Sequence, residues 1–258
     1  MMKVYLGFDD TDTLDSPFGT GKLVRWFQSS MPEGCECLGV IRQQLFVCDK
    51  IPYTSHNSAA CLIAEMSDPG LLSETIERAA NHLKHYAING SDPGLCVATE
   101  IESSMAGLVD FGHFCTRAVS TQKQAMEAAR QVHLSGHGGT NDGIIGAAAA
   151  VGLTFFGWSG RFIEFGNLRE LPDEMLVSEL NNMGIEVVSM ERDAYVPAPE
   201  DTVMTNGWIR PRLLGHLPVL FVSSQGEGQW KNIYWKRKKG DHHLKNMGRL
   251  TKKIESLN

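Results

Sequence analysis

The run Gly143-Ile144-Ile145-Gly146-Ala147-Ala148-Ala149-Ala150-Val151-Gly152 does most to limit what this chain can fold into. A helix made of side chains this small cannot fill wide gaps between elements. It must rest close against its neighbours, so the segment reads as a tightly packed, buried helix. The apolar stretch runs on to Trp158, short of the ~18–20 residues that span a bilayer. Glycines at 146, 152 and 157 also interrupt it. No membrane partner is expected, and the residues from Thr154 to Phe165 read as extended.

Strand and helix patterns alternate on both sides of this helix. Val4, Leu6 and Phe8 alternate with Lys3, Tyr5 and Gly7, the period of a strand. Cys37–Phe46, Ala59–Met66, Leu95–Glu100, Ile185–Met190 and Pro218–Val222 read as further strands. Lys22–Gln28, Leu72–Tyr86, Thr121–Val132 and Asp173–Asn182 carry helical spacing, with Ser73 as a candidate cap and Gly184 as a stop. The turns Ser67-Asp68-Pro69-Gly70 and Asp92-Pro93-Gly94 separate elements. The fold class is therefore α+β. At 258 residues the chain makes one large domain or two modest ones.

Charge is unevenly spread. The net charge is −6, yet residues 231–258 carry nine Lys or Arg against Asp241 and Glu255. An acidic body with a basic end suggests a tail that meets an anionic partner such as RNA, or a solvated tail of no special role. Trp230, Tyr234 and Trp235 stand among those lysines and could stack on a single strand. The six cysteines form no Cys-x-x-Cys pair and no zinc-finger spacing, as in reduced cytoplasmic proteins. No signal peptide is visible at the start.

Two motifs carry chemistry. In Phe8-Asp9-Asp10-Thr11-Asp12-Thr13, three carboxylates crowd the end of a strand. They repel one another unless a cation lies between them, and oxygen ligands of this kind suit Mg²⁺. The other reading is a turn in which aspartates cap backbone amides. In Gly136-His137-Gly138-Gly139-Thr140-Asn141-Asp142-Gly143, glycines open a helix, where backbone amides can meet a phosphate. A flexible loop closed by tight helix packing is the alternative. Gly19-Thr20-Gly21-Lys22 is no P-loop, since Leu23 follows the lysine, but Lys22 can still touch phosphate as a point charge. His133 and His137 read as loop histidines because Ser135-Gly136 breaks any helix between them. His56 and His137 are proton carriers only where they face phosphates.

In this order and spacing the motifs resemble those of the archaeal synthetases that make 2-agmatinylcytidine at the anticodon wobble position of an isoleucine tRNA. The likeness rests on Gly7-Phe8-Asp9-Asp10-Thr11-Asp12, on Ile51-Pro52-Tyr53 with Asn57-Ser58-Ala59, on Asp92-Pro93-Gly94-Leu95, and on the run from Gly143 to Gly152. Pro218-Val219-Leu220-Phe221 adds a weaker echo, and the whole covers residues 3–222. The resemblance implies a kinase-like domain followed by a ferredoxin-like domain. It implies an acidic motif that holds Mg²⁺ and the ATP phosphates. ATP would activate the cytosine C2 oxygen, and agmatine would displace the phosphoryl group. Two departures stand out. Lys22-Leu23 replaces a threonine pair of the family, and Thr54-Ser55-His56 replaces a basic stretch. The chain reads as a shortened homologue without the oligonucleotide-binding barrel and zinc ribbon.

The resulting expectations are specific. Residues 1–155 form a kinase-like ATP/Mg domain, 156–225 a ferredoxin-like domain and 226–258 a basic tail. Asp9, Asp10 and Asp12 hold Mg²⁺ and carry catalysis. Lys22, Gly138, Gly139, Thr140 and Gly143 bind ATP. The acceptor is tRNA or another RNA, and a homo-oligomer is compatible with the sequence. The rival readings are a non-catalytic nucleotide- or RNA-binding protein and a small-molecule kinase or ligase.

Overall fold

The computed structural model describes residues 1–51, 53–54, 56–101, 103, 105–191 and 195–233. Among them, twelve strands join one sheet. These are β1 (Met2–Asp9), β2 (Cys35–Gln44), β3 (Ser58–Met66), β4 (Gly94–Thr99), β5 (His133–Gly136), β6 (Arg161–Glu164), β7 (Glu174–Leu176), β8 (Glu186–Ser189), β9 (Thr202–Met204), β10 (Arg212–Leu214), β11 (Leu217–Gly226) and β12 (Gln229–Asn232). The helices are α1 (Thr20–Phe27), α2 (Leu72–Tyr86), α3 (Met105–Cys115), α4 (Gln122–Ala128), α5 (Gly143–Phe156) and α6 (Val177–Asn182). The sheet order is β5-β4-β1-β3-β2-β6-β10-β11-β12-β9-β7, with β8 beside β11.

Alternation along β1 sorts the first half into layers. Val4, Leu6 and Phe8 join a core with Leu23, Val24 and Phe27 of α1 and Ala79 and Leu83 of α2. Tyr5 faces the opposite core, with Ala147 to Val151 of α5 and Leu108 of α3. Here α5 lies at backbone distance from the sheet. A Cβ on Gly7 would sit 2.1 Å from the Ala147 carbonyl oxygen, and one on Gly94 would sit 2.1 Å from the Gly143 carbonyl carbon. On the other side, a Cβ on Gly152 would meet the Leu108 carbonyl oxygen at 1.9 Å. Small residues on both faces are thus what lets this helix sit between β1/β4 and α3.

A third core fills the second half, from Phe162 and Leu168 through Val203, Leu213 and Leu220 to Trp230. The sheet narrows between the halves. β2 joins β6 over three pairs, but β6 joins β10 through the single pair Arg161–Arg212.

Several local expectations change. α5 runs on to Phe156 and ends at Gly157, whose φ of 76° suits glycine, so the extended stretch shrinks to β6. Buried Thr154 accepts from Gln43 Nε2 at 3.1 Å, which fixes that last helical turn to β2. Residues 174–176 pair with β9 as a strand, leaving only Val177–Asn182 helical. Ser73 does not cap α2. Asp68 instead accepts from the Gly70 amide at the preceding 3-10 turn. Thr121 caps α4 reciprocally with Gln124, but that helix stops at Ala128. Trp230 is fully buried and donates through Nε1 to Asp201 at 2.8 Å, so it belongs to the core and is not a tail residue free to stack. Tyr234, Trp235 and the lysine-rich segment from residue 234 lie outside the described residues. All six cysteines are free thiols. Among the described residues no helix is long and apolar enough to cross a membrane.

Candidate active site

The acidic turn is built by β1 running straight into a reversal. Asp9 is its last residue, and Asp10 takes φ 53°, a left-handed conformation that aspartate tolerates better than most residues. Thr11 is buried and pins the turn in two directions. Its hydroxyl donates to Thr20 Oγ1 at 3.0 Å, and its carbonyl accepts from the Ile88 amide at 3.0 Å. Asp12 turns toward the start of α1. It accepts from the Thr20 hydroxyl at 3.2 Å and the Thr20 amide at 3.3 Å, and from the Thr54 hydroxyl at 3.0 Å.

Two carboxylates bear the electrostatic load. Burial pushes the Asp9 carboxyl up to about 8, with the charges of Asp10 and Asp12 adding to it. Burial pushes Asp10 up to about 6, with Asp92 the next cause and Asp12 behind it, while the Asp92 backbone N–H pulls the other way. Asp92 is a member of the site that the sequence marks as a turn residue and as part of the family likeness, without a binding role. An aspartate before Pro-Gly is common in turns, so only its second role as an acceptor for the glycine loop distinguishes it.

That loop folds directly over Asp92. Its carboxylate accepts from the Thr140 amide at 3.0 Å and the Thr140 hydroxyl at 2.5 Å, and its carbonyl accepts from the Gly143 amide at 3.0 Å. Gly139, at φ 51°, leaves room for this carboxylate, because a Cβ there would overlap Asp92 Oδ1. Gly146 does the same for Asp9: a Cβ would sit 1.7 Å from Asp9 Oδ2. The acidic turn, the Asp92 turn and the start of α5 therefore form one cluster. The amides of Thr140 and Gly143 are already engaged within it.

The remaining candidates are placed as follows. Lys22 extends its ammonium over the Trp26 indole, 5.2 Å from the ring centre. His133 opens β5, against the loop expected for it, whereas His137 lies in the loop just past the strand's end, as expected. Both Nε2 atoms are 2.8 Å from the Ser135 hydroxyl. Burial lowers the pKa of each. His56 is exposed. Among the described residues no three His, Cys, Asp or Glu side chains come together as a ready-made metal cluster.

No protein-family model and no curated protein matches the sequence. Solved structures do match. TiaS in complex with its tRNA, AMPCPP and agmatine aligns with a TM-score of 0.51 and 20% identity, over 70% of this chain and 44% of that one. TiaS with its tRNA and ATP aligns with a TM-score of 0.50 and 23% identity, over 59% and 36%. The fold is TiaS-like. The chain spans under half the length of these structures.

Proposed function

We propose that this protein is an Mg-ATP-dependent enzyme that phosphorylates or activates an acceptor, and that the acceptor is a cytidine of tRNA or another RNA. The observation that carries the reading is the placement of Asp9 and Asp10 beside the glycine loop, both raised chiefly by burial with neighbouring carboxylates adding to it. Two crowded carboxylates fit Mg²⁺, which binds through one or two carboxylates and completes its shell with water and phosphate oxygens. Bound there, the ion supplies positive charge to the phosphates of ATP. In this reading Asp9 and Asp10 are the ligands. Asp12 is a positioning residue that fixes the turn through Thr20 and Thr54. Gly138 and Gly139 offer amides to phosphate, while Thr140 and Gly143 hold Asp92 in place. Lys22 would leave Trp26 to reach a phosphate. The RNA acceptor is favoured because TiaS, whose fold this chain shares in part, has been solved with tRNA and ATP. The same reading keeps a kinase-like unit over 1–155 and a ferredoxin-like unit over 156–225. A distinct core in the second half supports two units, although it also takes in Ile41 of β2 and Trp230 of β12, outside those bounds.

The test is ATP consumption by the full chain in the presence of unmodified tRNA. Turnover should need Mg²⁺ and fall at least about a hundredfold in Asp10→Asn, the scale of a lost electrostatic group at a reaction centre. Turnover that survives chelation, or that is the same in Asp10→Asn, would remove the basis for this assignment.

A further inference from the structure

A row of aromatic rings lies on the surface beside the acidic turn, and neither the fold nor the proposed chemistry uses it. α1 buries Thr20, Leu23, Val24 and Phe27, which leaves Trp26 on its outer face, 38% exposed. Phe18 sits 4.8 Å from Trp26 between ring centres, inclined at 63°. Tyr86, 42% exposed at the end of α2, lies 5.9 Å from Trp26 at 58°. Trp26 and Tyr86 keep part of their rings open to a planar guest, while the rest of each ring meets Lys22 or the imidazoles of His82 and His85. Both ends of the row tie back to the acidic turn. Phe18 precedes Gly19, which lies against the Asp12 carboxylate, and Ile88, two residues past Tyr86, donates to the Thr11 carbonyl.

The rings border two adjoining hollows. One, of about 290 Å³, lies among Trp26, Ser29, Ser30, His82 and Tyr86. The other, of about 380 Å³, shares Ser30, His82 and Tyr86 and adds Arg78, Asn81 and His85. Both are shallow and open to solvent, and their volumes lie near the lower end of the ~300–1,000 Å³ typical of ligand sites. His82 is held rigid between them, its Nε2 donating to the Leu23 carbonyl at 2.9 Å. Two cations stand by the hollows, one of them already paired with a carboxylate. Lys22 lies over Trp26, and Arg78 is anchored by Glu74 and by the carbonyls of Ser30 and Met31. Aromatic faces beside fixed cations, with Ser and Asn side chains at the rim, are the chemistry of a stacking platform for unpaired bases.

We propose that Trp26 and Tyr86, with Arg78 beside them, bind two successive bases of a single-stranded nucleic acid and so lead the acceptor strand to the acidic turn. The link to the acidic turn rests on the function proposed above, whereas the stacking itself does not. Because stacking needs unpaired bases, a short single-stranded RNA should quench tryptophan fluorescence of the full-length protein, and a duplex of the same length should bind more weakly. Trp26→Ala and Tyr86→Ala should each weaken single-strand binding by about five- to 150-fold, the range for one lost base stack. Trp26→Phe should retain most of the affinity. Mg-ATP binding should be unchanged in all three. Single-strand affinity within twofold of the parent in both alanine variants, with far-ultraviolet circular dichroism confirming the fold, overturns the proposal. So does a duplex that binds equally well, or an Mg-ATP affinity that falls in step with RNA, which would make the row a mononucleotide site. RNA binding that depends on Trp26 in a protein without ATP turnover would sustain the platform and reject only the enzymatic reading.

Discussion

Gly146→Ala should separate function from stability. The position is inside α5, where alanine favours the helix by about 0.8–1 kcal/mol over glycine. The new methyl group has one obstacle. It would lie 1.7 Å from Asp9 Oδ2 and 2.4 Å from Asp9 Cγ, and the nearest other atom is Asp9 Cβ at 2.9 Å. Turning the carboxylate aside relieves the two shortest contacts at roughly 0.5–1.5 kcal/mol, and the contact with Asp9 Cβ needs a further small shift of Asp9 itself. The two effects nearly cancel, so the melting temperature should move by no more than about 4 °C, given ~2–4 °C per kcal/mol for a chain of this size. The Asp9 carboxylate, however, moves by an ångström or more, a displacement that can cost ~10²-fold at a reacting centre. Thermal melts with and without Mg-ATP read both quantities. The parent should gain about 2.7 kcal/mol at a hundred times Kd, and the variant should gain almost nothing at that concentration. A variant that keeps the full ligand-induced gain would refute the role of the Asp9–Gly146 contact. Gly7→Ala is the contrasting control. There the methyl group meets the Ala147 carbonyl at 2.1 Å, and backbone cannot rotate away, so a loss of at least about 3 kcal/mol is expected.

Three other outcomes are expected. In metal-free buffer, Asp9 keeps its proton up to about 8 when folded but loses it near 3.8 when unfolded, so its contribution to stability is lost as pH rises through that window. Asp9→Asn should therefore melt higher than the parent at pH 8, with the gap closing toward pH 4; a constant gap would contradict the assigned cause. Trp230→Phe should cost about 1.5–3 kcal/mol in a denaturant titration, because it strips the buried Asp201 carboxylate of a hydrogen bond, and a change under ~0.5 kcal/mol would show that bond to be dispensable. Removing residues 234–258 should flatten the salt dependence of RNA binding by ~0.7 in slope per lost phosphate contact while sparing Mg-ATP binding, whereas an unchanged slope would mean the basic segment touches no phosphate.

What could be read in advance follows from how local each signal is. The helix of small residues is legible because its composition leaves tight burial as the only outcome. β1 is legible because its alternation is unbroken, and the acidic turn because three carboxylates so close have few explanations. α3 is not legible: Met105 to Cys115 holds glycines at 107 and 112 and shows no clear polar face, since its packing against α5 depends on a helix distant in sequence. Trp230 misleads because neighbouring lysines suggest a solvated tail, whereas pairing of β12 with β11 and β9 turns the ring inward. Asp92 has the same sequence context whether it only starts a turn or also clamps Thr140. Its partner is 48 positions away, and only the fold brings the two together.

The one-pair junction between β6 and β10 has a mechanical consequence. Phe162 and Leu213 donate across it to the carbonyls of Pro211 and Gly160, and Arg161 faces Arg212 as a like charge. Elsewhere, longer ladders make each half of the sheet stiff against shear. The shortness of this ladder makes it the expected line of compliance, with the His216 amide bonded to the Gly157 carbonyl and Ile41 packed into the core of the second half as its further ties. A load that twists one half against the other is taken up as rotation about this line, and the register of β1 beneath the acidic turn is left undisturbed.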